Sequence, residues 1–178
     1  MYLPVFHTEI SEANGPGKRF VIWVQGCKHH CRNCFNPATH PFTTNNRVDT
    51  TLLTSIINRQ DNICGVTFSG GEPLEYSLAI LEMIQGIRTG VSVILYSGYS
   101  LDEVMSDKDK TKVMMHCDLS ILGRYDDNLP HPYLGKKFVR TSDKIDMDYF
   151  KKMYNIEYLI QNKHIVKSGI FKTNQNGL

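Results

Sequence analysis

Cys27, Cys31 and Cys34 fall within eight residues, in the run Gly26-Cys-Lys-His-His-Cys-Arg-Asn-Cys-Phe-Asn36. Three thiolates held at close range repel one another, so the natural occupant of such a loop is a soft, multiply charged centre. Iron-sulfur and zinc are the candidates. A closed zinc site needs four ligands, usually supplied as short pairs from two places, and the fourth here would be His29, His30, His40 or a distant cysteine. A [4Fe-4S] cluster held by three thiolates leaves one iron open to a substrate or cofactor.

Two further stretches could do chemistry. Ser69-Gly70-Gly71-Glu72-Pro73 combines two glycines, which permit close backbone approach, with a carboxylate; its simplest structural role is a tight turn into a helix begun by Pro73. Ser97-Gly98-Tyr99 offers a hydroxyl beside another glycine. Gly123-Arg124-Tyr125 places a guanidinium that either faces an anionic group or lies on the surface.

Each of these stretches follows an apolar run that reads as a strand. Phe20-Val-Ile-Trp-Val24 is continuously apolar and rich in β-branched and aromatic residues, as in a strand buried on both faces. Runs 63–68, 91–96 and 117–122 read the same way, and ligands gather at the C-terminal ends of parallel strands. Asp49 can cap a helix with Leu52, Leu53, Ile56 and Ile57 on one face. A second helix runs through Leu78, Ile80, Leu81, Met83, Ile84 and Ile87, and Ser100-Leu-Asp-Glu103 forms a capping box. Residues 107–112 read as a solvated turn and 39–47 as a polar loop. Residues 126–137, with Pro130 and Pro132, read as an irregular loop. Strands at 156–160 and 165–170 suggest a hairpin across Asn162-Lys163, with a loose tail from Asn174. Cys64 and Cys117 open their strands at the end away from the motifs, as small buried residues would.

Alternating strands and helices imply an α/β fold, a parallel sheet with helices outside, in a single domain spanning 1–178. Within it, 1–18 is an irregular lead-in closed by Gly15-Pro16-Gly17, 19–145 the core and 146–178 a C-terminal extension. A closed eightfold barrel takes about 250 residues, so this chain of 178 suits an open, partial (β/α) barrel. With 41% hydrophobic and 21% charged residues the composition is that of a globular chain, and a net charge of +2 spread along it gives no footing for nucleic acid. No run is long enough to span a membrane and the first residues are no secretory signal. Five cysteines, three on one loop, fit a reducing compartment better than a disulfide framework, so the expected location is cytoplasmic.

Cys-x3-Cys-x2-Cys directly after a strand resembles the signature of the radical S-adenosylmethionine (SAM) superfamily. Asn14-Gly-Pro-Gly17, Arg19, Gln25-Gly26 and Phe35-Asn36-Pro37-Ala38-Thr39 narrow the resemblance to the activating enzymes of anaerobic ribonucleotide reductase, over about residues 12 to 145. The resemblance implies the partial barrel and a [4Fe-4S] cluster on Cys27, Cys31 and Cys34. It implies SAM bound through its amino group to Glu72 and the carbonyls around Ser69, Gly70 and Gly71, with Ser97 and Gly98 near its ribose or carboxylate. The adenine-packing aromatic of many superfamily members is replaced by Asn33, and an aromatic follows one residue after the third cysteine, as Phe35. The implied activity is reductive cleavage of SAM to a 5'-deoxyadenosyl radical, which takes hydrogen from the glycyl-radical site of an anaerobic ribonucleotide reductase. A flavodoxin or ferredoxin is the implied electron donor. In place of the family's Arg-Gly-Ser-x-Asn-Gln this chain has Thr141 at the glycine and Lys144-Ile145 at the Asn-Gln. The alternatives are a short radical SAM enzyme acting on another peptide or a small metabolite, and a zinc-stabilised binding module.

Overall fold

The computed structural model describes residues 1–129 and 133–151 with their side chains, together with the backbone of strands 156–161 and 164–169. Four strands form the parallel centre of a sheet: β2 (Arg19–Val24), β4 (Gly65–Gly70), β5 (Ser92–Ser97) and β6 (Leu119–Leu122). Antiparallel strands flank them, β1 (Tyr2–Ser11) and β3 (Arg47–Asp49) on one side and β7 (Lys137–Arg140) on the other. The order is β3-β1-β2-β4-β5-β6-β7, and the sheet does not close. Strands β8 (Ile156–Gln161) and β9 (His164–Gly169) pair antiparallel, as the expected hairpin requires. Residues 162–163 and the tail from Asn174 lie outside the described residues.

Alternation along the strands builds two apolar layers. Phe20, Ile22, Val24, Val66, Phe68, Val93 and Leu95 pack against Leu53 and Ile57 of α1 (Thr50–Asn58) and Ile80 and Met83 of α2 (Ser77–Gly86). Val104 of α3 (Leu101–Met105) and Val113 and Met114 of α4 (Lys108–His116) complete that layer. On the other face Ile94, Leu119 and Ile121 meet Tyr133, Ile145 and Phe150. Each such side chain taken fully out of water contributes roughly 1.5–3 kcal/mol.

The caps expected from sequence form. Asp49 accepts from the backbone N–H groups of Thr51 and Leu52, and both bonds of the Ser100/Glu103 capping box are made. Several expectations are corrected. Residues 1–18 are no irregular lead-in, because Tyr2–Ser11 is a ten-residue strand; Pro4 and a register break between Val5 and His7 disrupt the alternation that would have revealed it. The sheet is mixed rather than parallel, with β1, β3 and β7 reversed. Residues 108–112 are helical, since Asp107 caps α4 and Asp107–Lys110 and Asp109–Lys112 pairs hold its polar face. Leu52, Ile56 and Leu78 are exposed on their helices, and Cys64 is exposed rather than buried; Cys117 is buried as expected.

At the end of the sheet away from the cysteines, Arg19 is fully buried. Its Nε donates to Thr67 Oγ1 at 2.8 Å, and its two terminal nitrogens donate to Pro16 O, Ser92 Oγ, Val66 O and Ser92 O. Five neutral acceptors satisfy all five donors, which a buried cation requires. Burial lowers its pKa to about 10, so it stays charged at neutral pH. The guanidinium occupies the space beside Gly65, where a Cβ would stand 2.1 to 2.3 Å from its nitrogens and carbon. Gly65→Ala should therefore destabilise the protein by roughly 1–3 kcal/mol, seen as a lower urea midpoint with an unchanged m-value.

Candidate active site

The four parallel strands all end at one rim. Beyond β2 comes the cysteine loop, beyond β4 Gly71-Glu72, beyond β5 Gly98-Tyr99 and beyond β6 Gly123-Arg124. Backbone bonds stitch the loops together: Gly71 N–H to Val24 O, Glu72 N–H to Gly26 O, and Gly123 N–H to Ser97 O. Gly71 must lack a side chain, because a Cβ there would lie 2.4 Å from Gly26 O. The cysteine loop is folded back on its own continuation by Gly26 N–H to Thr39 O and Cys27 N–H to His40 O. His30 and Asn33 take left-handed backbone conformations, φ 47° and 49°, to turn the chain between cysteines.

Together these loops wall a cavity of about 320 Å³. Cys27, Cys31 and Cys34 line it with Ser69, Gly70, Gly71 and Glu72, and with Ser97 and Gly98. Trp23, Phe35, Tyr96 and Tyr125 give it an aromatic side, Phe35 meeting Tyr125 edge-on at 5.3 Å. Every residue expected at the site lines the cavity except Asn33, which is exposed and donates its side-chain amide to Asp127. Several lining residues were not among those expected at the site, His29, Trp23 and Lys136 among them. His29 lies in the cysteine loop itself, Trp23 looks like one more apolar strand residue, and Lys136 sits in a loop without regular pattern. Burial brings Lys136 down to about 8, and its ammonium donates to the Gly123 and Arg124 carbonyls.

The carboxylate of Glu72 is fully buried and has four donors. Oε1 accepts from Leu74 N–H at 2.9 Å and Ser97 Oγ at 2.8 Å; Oε2 accepts from Gly98 N–H at 2.7 Å and meets His29 Nε2 at 3.0 Å. The first of these caps the short 3-10 turn Pro73–Tyr76 that leads into α2. Arg124 lies exposed at the rim, donating to Gly98 O and to the Glu103 carboxylate at 2.8 and 3.0 Å. That guanidinium pulls Glu103 down to about 2. The altered segment Arg140–Ile145 is at the opposite end of the sheet. There Ser142 Oγ donates to Asp118, Lys144 pairs with Asp118 at 3.2 Å, and Ile145 enters the core.

The donor set suits an iron-sulfur cluster. Three thiols face one cavity, and the backbone N–H of Asn36 donates to Cys34 Sγ at 3.4 Å; such a bond stabilises a bound thiolate. Among the described residues no three Cys, His, Asp or Glu side chains converge tightly enough to hold a single ion. Cluster thiolates each bind a separate iron, so a cluster does not ask for that convergence.

Three thiols at the C-terminal rim of the parallel strands, backed by two glycine loops, are a donor set of the iron-sulfur class. The family of the 4Fe-4S single cluster domain matches residues 13–144. Proteins named anaerobic ribonucleoside-triphosphate reductase-activating protein align with the same region. The one from Escherichia coli K12 is 31% identical over 134 residues, 68% of this chain and 83% of its own length. That of Enterobacteria phage T4 is 30% identical over 73% of this chain and 83% of its length, and that of Vibrio cholerae 26% identical over 65% and 79%. The chain belongs to the family of anaerobic ribonucleoside-triphosphate reductase-activating proteins. The matching family model is that of a single [4Fe-4S] cluster, which the three-thiol loop fits.

Burial raises the Cys27 and Cys34 thiols above the ordinary cysteine range. The thiolate is the ligand, so fewer ligands are ready at neutral pH than in a free peptide. Initial rates of anaerobic iron and sulfide incorporation should rise between about pH 7 and about pH 8.5. Cys117, pushed to about 12 by burial, should stay inert to thiol reagents in the folded protein over the same interval, while the exposed Cys64 reacts. A rate that falls with pH would contradict the assignment of these thiols.

Proposed function

We propose that this protein activates an anaerobic ribonucleotide reductase by removing a hydrogen from a glycine Cα of that partner. Cys27, Cys31 and Cys34 would hold the cluster, and three thiolates would leave one of its irons free to take SAM. Gly70 and Gly71 allow the backbone to approach that ligand, and Glu72 orders the carbonyls that receive its amino group. Ser97 and Gly98 serve the ribose and carboxylate side, and Phe35 offers its ring to adenine. With both cofactors bound, reductive cleavage of the sulfonium supplies methionine and a 5'-deoxyadenosyl radical. The chain's own part is to keep one iron uncovered, orient the sulfonium towards it, and keep water and stray hydrogen donors out through the aromatic wall of Trp23, Phe35, Tyr96 and Tyr125.

One observation carries this proposal: the three thiols share a cavity with Gly70-Gly71-Glu72 and Ser97-Gly98, all delivered by neighbouring parallel strands. The relatives' names support the reductase as partner. On this reading the open sheet is a partial (β/α) barrel of the radical SAM type, in a single domain over 1–178. The protein works in the cytoplasm, where a reduced flavodoxin or ferredoxin supplies the electron. Among the described residues no helix is long and apolar enough to cross a membrane.

Anaerobically reconstituted protein, reduced in the presence of SAM and an anaerobic ribonucleotide reductase, should yield 5'-deoxyadenosine and a glycyl radical signal on the reductase. Cys27→Ala, Cys31→Ala or Cys34→Ala should each abolish both products. A Cys31→Ala protein that still cleaves SAM would sink the proposal. 5'-Deoxyadenosine without a glycyl radical would move the substrate to another peptide or a small metabolite.

A further inference from the structure

The cysteine loop carries one side chain that reaches across the rim. His29 lies between Cys27 and Cys31, yet its ring points away from solvent, with 5% of the side chain exposed, and meets the fully buried Glu72 carboxylate at 3.0 Å. A carboxylate oxygen accepts, so the hydrogen bond to Oε2 is made by the tautomer with its proton on Nε2. The ring lies close against Gly98, where a Cβ would be 2.4 Å from Cδ2 and 2.9 Å from Nε2. Tyr99 closes over it edge-on, with ring centroids 4.6 Å apart. The imidazole therefore fills the space between the cysteine loop and the loop after β5, with its Nε2 on Glu72.

Glu72 has no acceptor capacity left. A carboxylate offers about four lone-pair sites, and Leu74 N–H, Ser97 Oγ, Gly98 N–H and His29 Nε2 fill them. In this arrangement its side chain is a clamp joining three loops, and neighbouring backbone carbonyls are left to receive an ammonium group. Of the four donors His29 alone comes from the loop that bears the cluster ligands.

We infer that His29 is a positioning residue: through Glu72 it fixes the cysteine loop against the rim that binds SAM, so that cluster and SAM are held in one register. The inference rests on the proposed function and adds a residue to it. Replacing His29 with an apolar side chain leaves Oε2 with one donor instead of two and frees the loops to shift relative to one another. Iron is still held by the three thiols; what weakens is the bridge between the open iron and the rim.

The test compares His29→Leu and His29→Gln, each alone and combined with Glu72→Gln, in anaerobically reconstituted protein with SAM as the probe. Iron and sulfide content should match the unaltered protein in all four. SAM affinity by equilibrium dialysis should fall on the order of tenfold in His29→Leu and recover in part in His29→Gln, whose amide can still donate. In the Glu72→Gln background, adding His29→Leu should change affinity less than about twofold, because the two residues act as a unit. Equal losses in both backgrounds, or unaltered affinity in His29→Leu, would overturn the inference. Failure of His29→Leu to hold iron would overturn it in favour of a ligand role. A readout without cofactors separates this inference from the function it rests on: the ring 15N spectrum of cofactor-free protein should show His29 protonated at Nε2 and shifted by Glu72→Gln. Its absence would remove the clamp even if SAM cleavage stands; its presence in a protein that never binds SAM would leave the clamp and remove the function.

Discussion

A carboxylate with no exposed surface must find its hydrogen bonds inside the protein, and Glu72 finds them on three separate loops. Unpaired, such a buried charge would cost several kcal/mol. The loops therefore take positions that satisfy it, and the remaining rim contacts follow. Gly98 can bear no side chain because His29 lies against it, and Gly71 none because Gly26 O does. Arg124 then ties the last loop to Gly98 O. The glycines of the rim are thus read as space required by a carboxylate and its partners as much as space left for a ligand.

The sheet makes this convergence available at little cost. Four parallel strands in the order β2-β4-β5-β6 deliver four successive loops side by side, and each loop needs to reach only its neighbour. At the far end Arg19 performs a comparable task, joining β2 to β4 and β5 through four neutral acceptors on Val66, Thr67 and Ser92. One buried anion at the rim and one buried cation at the base set the register of the same strands from opposite ends. Ordinary apolar packing on both faces of the sheet fills the distance between them.

What could be read from the sequence was what is local. The cysteine spacing, the glycine pairs, the Asp49 cap and the Ser100/Glu103 box each declare themselves within a few residues, and the four parallel strands announce themselves as apolar runs. Elements whose evidence is distributed escaped. β1 has a register break that spoils its alternation; α4 shows mostly charge, its apolar face being little more than Val113 and Met114; β7 is four residues long. His29 could not be read because its partner is 43 residues away, and a histidine beside cysteines invites comparison with the cysteines first. Asn33 shows the converse: a position singled out by motif comparison has its side chain spent on Asp127 at the surface.

The most direct measurement is electron-nuclear double resonance on the reduced, reconstituted protein with SAM labelled with 15N at its amino group and 17O at its carboxylate. The account predicts couplings from both labels, as expected when one iron of a three-cysteine cluster is bound by those groups, and their loss when any of Cys27, Cys31 or Cys34 is replaced. A reduced cluster whose spectrum is untouched by either label, in a protein shown to have SAM bound, would contradict it.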